Sequence, residues 1–122
     1  MLCWSGYILD CREAKNGMTQ MRRFEILLPT EFNDGREIPH ELLERAVKEV
    51  VDRFGAASEE PEAVEGHWEH RGRVQQDSLS KLVVDVDDTT ENREWMREFK
   101  SRWKEELEQL EIWLISYEIE VE

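Results

Sequence analysis

Between Arg23 and Leu28 the chain places Phe24, Ile26 and Leu28 at every second position, which predicts a strand with those side chains on one face, stopped by Pro29. Thr30–Glu37 holds Asn33-Asp34-Gly35, a turn signal, and Pro39 is placed to be the first residue of a helix. Leu42, Leu43, Ala46, Val47, Val50, Val51 and Phe54 then recur at three- and four-residue spacing, predicting a helix over about residues 39–54 with Gly55 as its C-terminal cap. Ala56–Pro61 reads as an acidic loop. Beyond it Val64, Gly66 and Trp68 alternate with Glu65, His67 and Glu69, the pattern of a half-buried strand, and Arg71-Gly72-Arg73 can turn the chain back. Residues 74–86 read as a third strand, polar at first and apolar on both faces at Leu82-Val83-Val84, as a central strand requires. Trp95, Phe99, Trp103, Leu107 and Leu110, with Met96 beside them, form a helical stripe over about residues 89–109. Trp113, Ile115, Tyr117, Ile119 and Val121 alternate with Ser116, Glu118 and Glu120 in a C-terminal strand.

The order strand, helix, strand, strand, helix, strand is the split βαβ pattern, an α+β ferredoxin-like βαββαβ plait. Right-handed crossovers place both helices on one face of a four-stranded antiparallel sheet, with the first and third strands in the middle. Leu27 and Val83 point to the opposite face, so that face carries apolar groups and is expected to be an interface, most simply of a homodimer.

Composition supports a folded chain. Its 122 residues suffice for one domain burying roughly 65% of its unfolded surface, and 39% hydrophobic residues with five Trp and four Phe outweigh the 37% that are charged. Twenty-nine acidic against 16 basic side chains give a net charge of −13, which repels nucleic-acid phosphates and anionic lipid headgroups. Neither is expected as a direct partner.

In residues 1–20, Asp10 and Glu13 balance Arg12 and Lys15, so the acidic excess lies in residues 21–122. This division predicts an N-terminal extension over residues 1–20 and one domain over 21–122. Met18 and Met21 could each be a start, and the first twenty residues could form a mobile arm or an extra strand through Trp4, Tyr7 and Ile8. Cys3 and Cys11 are too few for a disulfide framework and match neither a Cys-x-x-Cys redox pair nor a zinc site, which points to a reducing cytoplasm. No signal sequence or apolar run long enough for a membrane span is visible.

Leu82-Val83-Val84-Asp85-Val86-Asp87-Asp88-Thr89 resembles the first motif of the haloacid dehalogenase family, in which one Asp attacks phosphate and the Asp two residues on acts as acid and base. Thirty-two of the 122 residues follow Thr90, too few for the further strands, Lys and acidic pair that such a phosphatase needs. The alternative explains every residue: Asp85 faces out at a strand end, and Asp88-Thr89-Thr90-Glu91 has the form of a capping box with Asp88 at the N-cap and Glu91 at N3. A weaker chemical reading has Asp85, Asp87 and Asp88 holding a hard cation such as Mg²⁺, although strand alternation turns Asp88 away from the other two. His67 and His70 lie on opposite faces of a strand and cannot converge on a metal, and His40 stands alone. No nucleophile signature or glycine-rich phosphate loop is present, and no cofactor is expected. Trp68, Trp95, Trp103 and Trp113 could line an aromatic cleft, or belong to the core. Glu105, Glu106, Glu108 and Glu111 form a solvated helix face or an acidic surface for a basic partner.

Phe24-Glu25-Ile26-Leu27-Leu28-Pro29 with Asn33-Asp34-Gly35, then Gly66-His67-Trp68 and the helix–strand ending, resembles a group of small uncharacterised bacterial proteins with a ferredoxin-like fold over about residues 21–122. The resemblance implies the fold and a domain start at Met21, and no activity. The leading expectation is a non-enzymatic acidic module for protein–protein contact, homodimeric and cytoplasmic. The alternatives are a small enzyme built on the aromatic cleft or a weak Mg²⁺ site, and an acidic inhibitor that masks a basic protein.

Overall fold

The structure, a computed structural model, describes residues 20–122, with the backbone alone at 61–64, 70 and 75–77. The extension expected over residues 1–20, including Trp4, Tyr7, Ile8, Cys3 and Cys11, thus lies outside the described residues but for Gln20. Six elements follow one another: β1 (Met21–Pro29), α1 (His40–Phe54), β2 (Ser58–His70), β3 (Arg73–Asp87), α2 (Thr90–Glu106) and β4 (Trp113–Ile119). The chain is an α+β protein with two helices and an antiparallel sheet, whose described strands lie in the order β2-β3-β1-β4.

Alternation in β1 and β3 fixes which face is covered. Phe24 pairs with Val84 and Ile26 with Leu82, so Phe24, Ile26, Leu28, Leu82, Val84 and Val86 share a face, and all six are buried. Ala46, Val50 and Phe54 from α1 and Met96, Phe99 and Trp103 from α2 join the same cluster, which puts both helices over that face. Trp95 links them: its ring stacks on Phe99 with centroids 5.3 Å apart and meets the edge of Phe54 at 5.2 Å. Each fully buried large side chain contributes on the order of 2 kcal/mol of burial free energy, so this cluster holds the fold.

Local signals position the ends. The Asn33-Asp34-Gly35 turn is closed by Gly35 N–H donating to Phe32 O at 3.0 Å, with Gly35 at φ 89°. Arg71 and Gly72, at φ 54° and 77°, make the two-residue connection between β2 and β3; positive φ at both positions matches the twist of a tight hairpin. Gly55, at φ 88°, caps α1 by donating to Val51 O at 2.7 Å.

Four local expectations shift. Helix α1 begins at His40 with Pro39 at the N-cap, one residue later than expected. Ser58, Glu59 and Glu60, expected in a loop, pair with Val83, Leu82 and Lys81 and begin β2, before a register shift between Glu60 and Val64. Acidic residues that look like loop in sequence can pair in a strand and keep their side chains in water. Helix α2 ends at Glu106, short of the predicted 109. Glu108 takes φ 53° while Glu108 N–H donates to Glu105 O and Gln109 N–H to Lys104 O, a Schellman closure with glutamate at the left-handed position. Leu110 therefore leaves the helical stripe and is exposed, whereas Leu107 is buried.

The fourth shift is the cap of α2. Thr89, not Asp88, is the N-cap, its hydroxyl accepting from Asn92 N–H at 3.1 Å, which makes Asn92 rather than Glu91 the N3 residue. The physical reason is competition: two arginines occupy the Asp88 carboxylate. Among the described residues no helix is long and apolar enough to cross a membrane.

Candidate interaction surface

The register of β4 on β1 decides what the sheet's second face looks like. Ile26 pairs with Leu114 and Phe24 with Ser116, so Leu114, Ser116 and Glu118 take the helix side. Trp113, Ile115 and Tyr117 pair with Leu27, Glu25 and Arg23 and point the other way. The alternating apolar row of the C-terminal strand thus faces away from the core. Among the described residues, six large hydrophobic side chains are exposed, and five of them, Leu110, Trp113, Ile115, Tyr117 and Val121, fall within twelve residues and are 38–62% exposed.

Beside this row the same face carries ion pairs already closed on themselves. Arg23 donates to both Asp85 oxygens, Nε at 2.7 Å and Nη2 at 2.9 Å, a fork that raises the arginine's affinity for its proton. Glu25 accepts from the Tyr117 hydroxyl and lies 3.8 Å from Lys81 Nζ. The Glu25 contact pushes the Tyr117 pKa up, since losing the phenol proton would break the hydrogen bond and set two anions together. These polar groups neutralise the middle of the face; the exposed apolar row lies along β4.

The seam between β3 and α2 is equally occupied. Asp88, whose side chain is 5% exposed, accepts from Arg93 Nε at 2.7 Å and Nη2 at 2.9 Å, and Arg22 Nε lies 3.0 Å away. The Arg93 hydrogen bonds hold the Asp88 pKa below the usual carboxylate range, against burial and with help from Arg22. Arg22 also donates to Ser116 Oγ at 3.0 Å, which ties this cluster to β4. Asp87 O accepts from Asn92 Nδ2 at 2.9 Å. The three acids singled out for a cation are not drawn into one ligand set: Asp85 turns to Arg23, Asp88 to Arg22 and Arg93. No group of three or more His, Cys, Asp or Glu among the described residues is placed to hold a metal ion.

The tryptophans do not line one cleft. Trp103 is buried and Trp95 half-buried beneath the helices, whereas Trp113 stands on the opposite sheet face. A shallow groove of about 450 Å³ between the helices is walled by Arg45, Glu49, Arg102, Trp103, Glu105 and Glu106. There Glu49 accepts from Arg102 at 2.7 Å and from the Trp103 indole at 2.5 Å. His67 is exposed on β2, and His40 pairs with Glu44 at 2.9 Å in solvent. The acidic run is partly neutralised, Glu106 by Arg45 at 3.3 Å and Glu111 by Lys100 at 3.0 Å.

Alternation in the sequence reveals the row in β4 but not its direction, because a strand's facing is set by its register on a neighbour. The fold and site define an α+β protein with an exposed apolar row along β4. No protein-family model matches the chain, and no curated protein matches it.

Proposed function

We propose that this chain is a ferredoxin-like plait acting as a non-enzymatic, acidic module for protein–protein contact, and that it works as a homodimer through β4 and its flanks. The concentration of exposed Leu110, Trp113, Ile115, Tyr117 and Val121 in one stretch carries this reading. Soluble monomers scatter such residues, and a contiguous apolar patch is costly in water unless something covers it. The strand order, with both helices over one face, supports the plait. Aromatic anchors are the side chains that dominate interface energies, and Trp113 and Tyr117 are the two on β4. The net charge of −13 disfavours nucleic-acid phosphates and anionic lipid headgroups as the partner.

Sedimentation velocity of the full chain tests this. Its mass rises from 14.6 kDa toward twice that value as concentration increases, over about 1 to 100 µM. Trp113→Glu, at an exposed position, keeps the far-ultraviolet circular dichroism of the wild type and stays monomeric throughout. A wild-type chain that remains monomeric across the range contradicts the homodimer.

A further inference from the structure

Register sets the face away from the helices in ranks across β4, β1 and β3. Trp113 lies beside Leu27 and then Lys81, Ile115 beside Glu25 and then Val83, and Tyr117 beside Arg23 and then Asp85. Paired residues share a sheet face, so these nine side chains form one block. The β4 row is its apolar side, with Trp113, Ile115 and Tyr117 all exposed. Elsewhere in the block charge cancels. Arg23 is bound to Asp85, and Glu25 stands between the Tyr117 hydroxyl and Lys81. Two cations and two anions leave the block without net charge on a chain that carries −13.

Charge and apolar surface together select the occupant. A basic partner is drawn to unpaired carboxylates rather than to a block whose charges cancel. A second copy is repelled by the acidic chain as a whole, and least where that cancellation occurs; there it meets an apolar row identical to its own, as a two-fold contact requires.

We propose that two copies of this chain pack open face against open face, as sheets stacked about 10 Å apart, with the block of β1, β3 and β4 in the contact and ionic strength setting how tightly they associate. This rests on the association argued above, adds β1 and β3 to its surface, and covers the exposed β4 row itself. Two acidic chains held by apolar contact repel one another at long range, so screening strengthens the pairing. A contact between surfaces of opposite charge weakens on screening instead.

Sedimentation velocity of the full chain at about 10 mM and about 0.1 M salt, between which the screening length falls from about 30 to about 10 Å, tests the salt response. Self-association is expected to tighten at least about ten-fold across that change. A charge-matched pair of variants at the higher salt tests the location. Lys81→Glu lies in the block, and Lys48→Glu lies on α1, over the opposite sheet face and exposed. Lys81→Glu is expected to weaken association at least about ten-fold more than Lys48→Glu. Melting curves establish that both variants are folded, and the salt response of the unmodified chain decides the matter without them. Association that weakens with salt, or equal losses from the two substitutions, overturns face packing and leaves association standing. A monomeric mass at both salt concentrations overturns both, and leaves the row to residues 1–19 of the same chain or to a different protein.

Discussion

Among the described strands β2 and β4 come last on either side, one beside β3 and the other beside β1, yet their exposed side chains meet water in opposite ways. Along β2 the exposed residues include Glu59, Glu60, Glu65 and Glu69, and the ladder is interrupted between Glu60 and Val64. Strand β4 is a regular seven-residue run whose outward side chains are Trp113, Ile115 and Tyr117. Carboxylates are well solvated as they stand, whereas a row of exposed apolar side chains favours contact with another surface. The contrast teaches that the exposed surface of this chain is not uniform: β2 presents carboxylates to water where β4 presents an apolar row.

The largest expected effect removes the ground on which the two strands differ. Phe99 is fully buried between Trp95 and Trp103, and Phe99→Ala should cost about 3–5 kcal/mol in denaturant unfolding, loosening β2 and β4 alike. A loss confined to one strand would show that the sheet does not share a single core.

Asp88→Asn separates the two strands. The carboxylate anchors Arg22, which reaches Ser116 on β4, so the amide should cost about 1–2 kcal/mol and loosen β4 before β2. Because the Asp88 pKa is lowered in the folded state, its contribution is complete above the unfolded aspartate value of about 3.9 and is lost as pH falls through the lower folded value. The stability gap between wild type and Asp88→Asn should therefore be full at neutral pH and close in strong acid. A gap that widens on acidification would contradict this assignment.

Glu108 holds the left-handed position in the connection that leads into β4. Glycine adopts that conformation without strain, so Glu108→Gly should raise stability by about 0.5–1 kcal/mol with no change in association. The smallest effect belongs to β2: Glu60→Gln should alter stability by less than about 0.5 kcal/mol and leave sedimentation unchanged. A shift in mass from that substitution would place the contact on β2.

Much of this architecture is legible in the chain because local chemistry and global fold agree. Phe24, Ile26 and Leu28 announce a strand, the α1 stripe and Gly55 a helix with its stop, and Arg71-Gly72 a hairpin. What escaped depends on longer-range competition. Asp88 has the form of an N-cap, but Arg22, sixty-six positions earlier, and Arg93 claim it and pass the cap to Thr89. Glu59 and Glu60 look like loop until β3 is set beside them. Leu110 continues the α2 stripe in sequence, yet the closure at Glu108 turns it out into solvent. The apolar row of β4 is plain in the sequence; its direction follows only from Ile26 meeting Leu114.

Hydrogen exchange of the backbone amides in β4 and β2, compared in dilute and concentrated solutions of the unmodified chain, tests the asymmetry most directly. Association through β4 predicts that its amides slow with concentration, by about ten-fold or more between the monomeric and dimeric regimes, while β2 amides keep their rates. Equal rates for β4 at both concentrations, or slowing at β2 instead, would contradict the account.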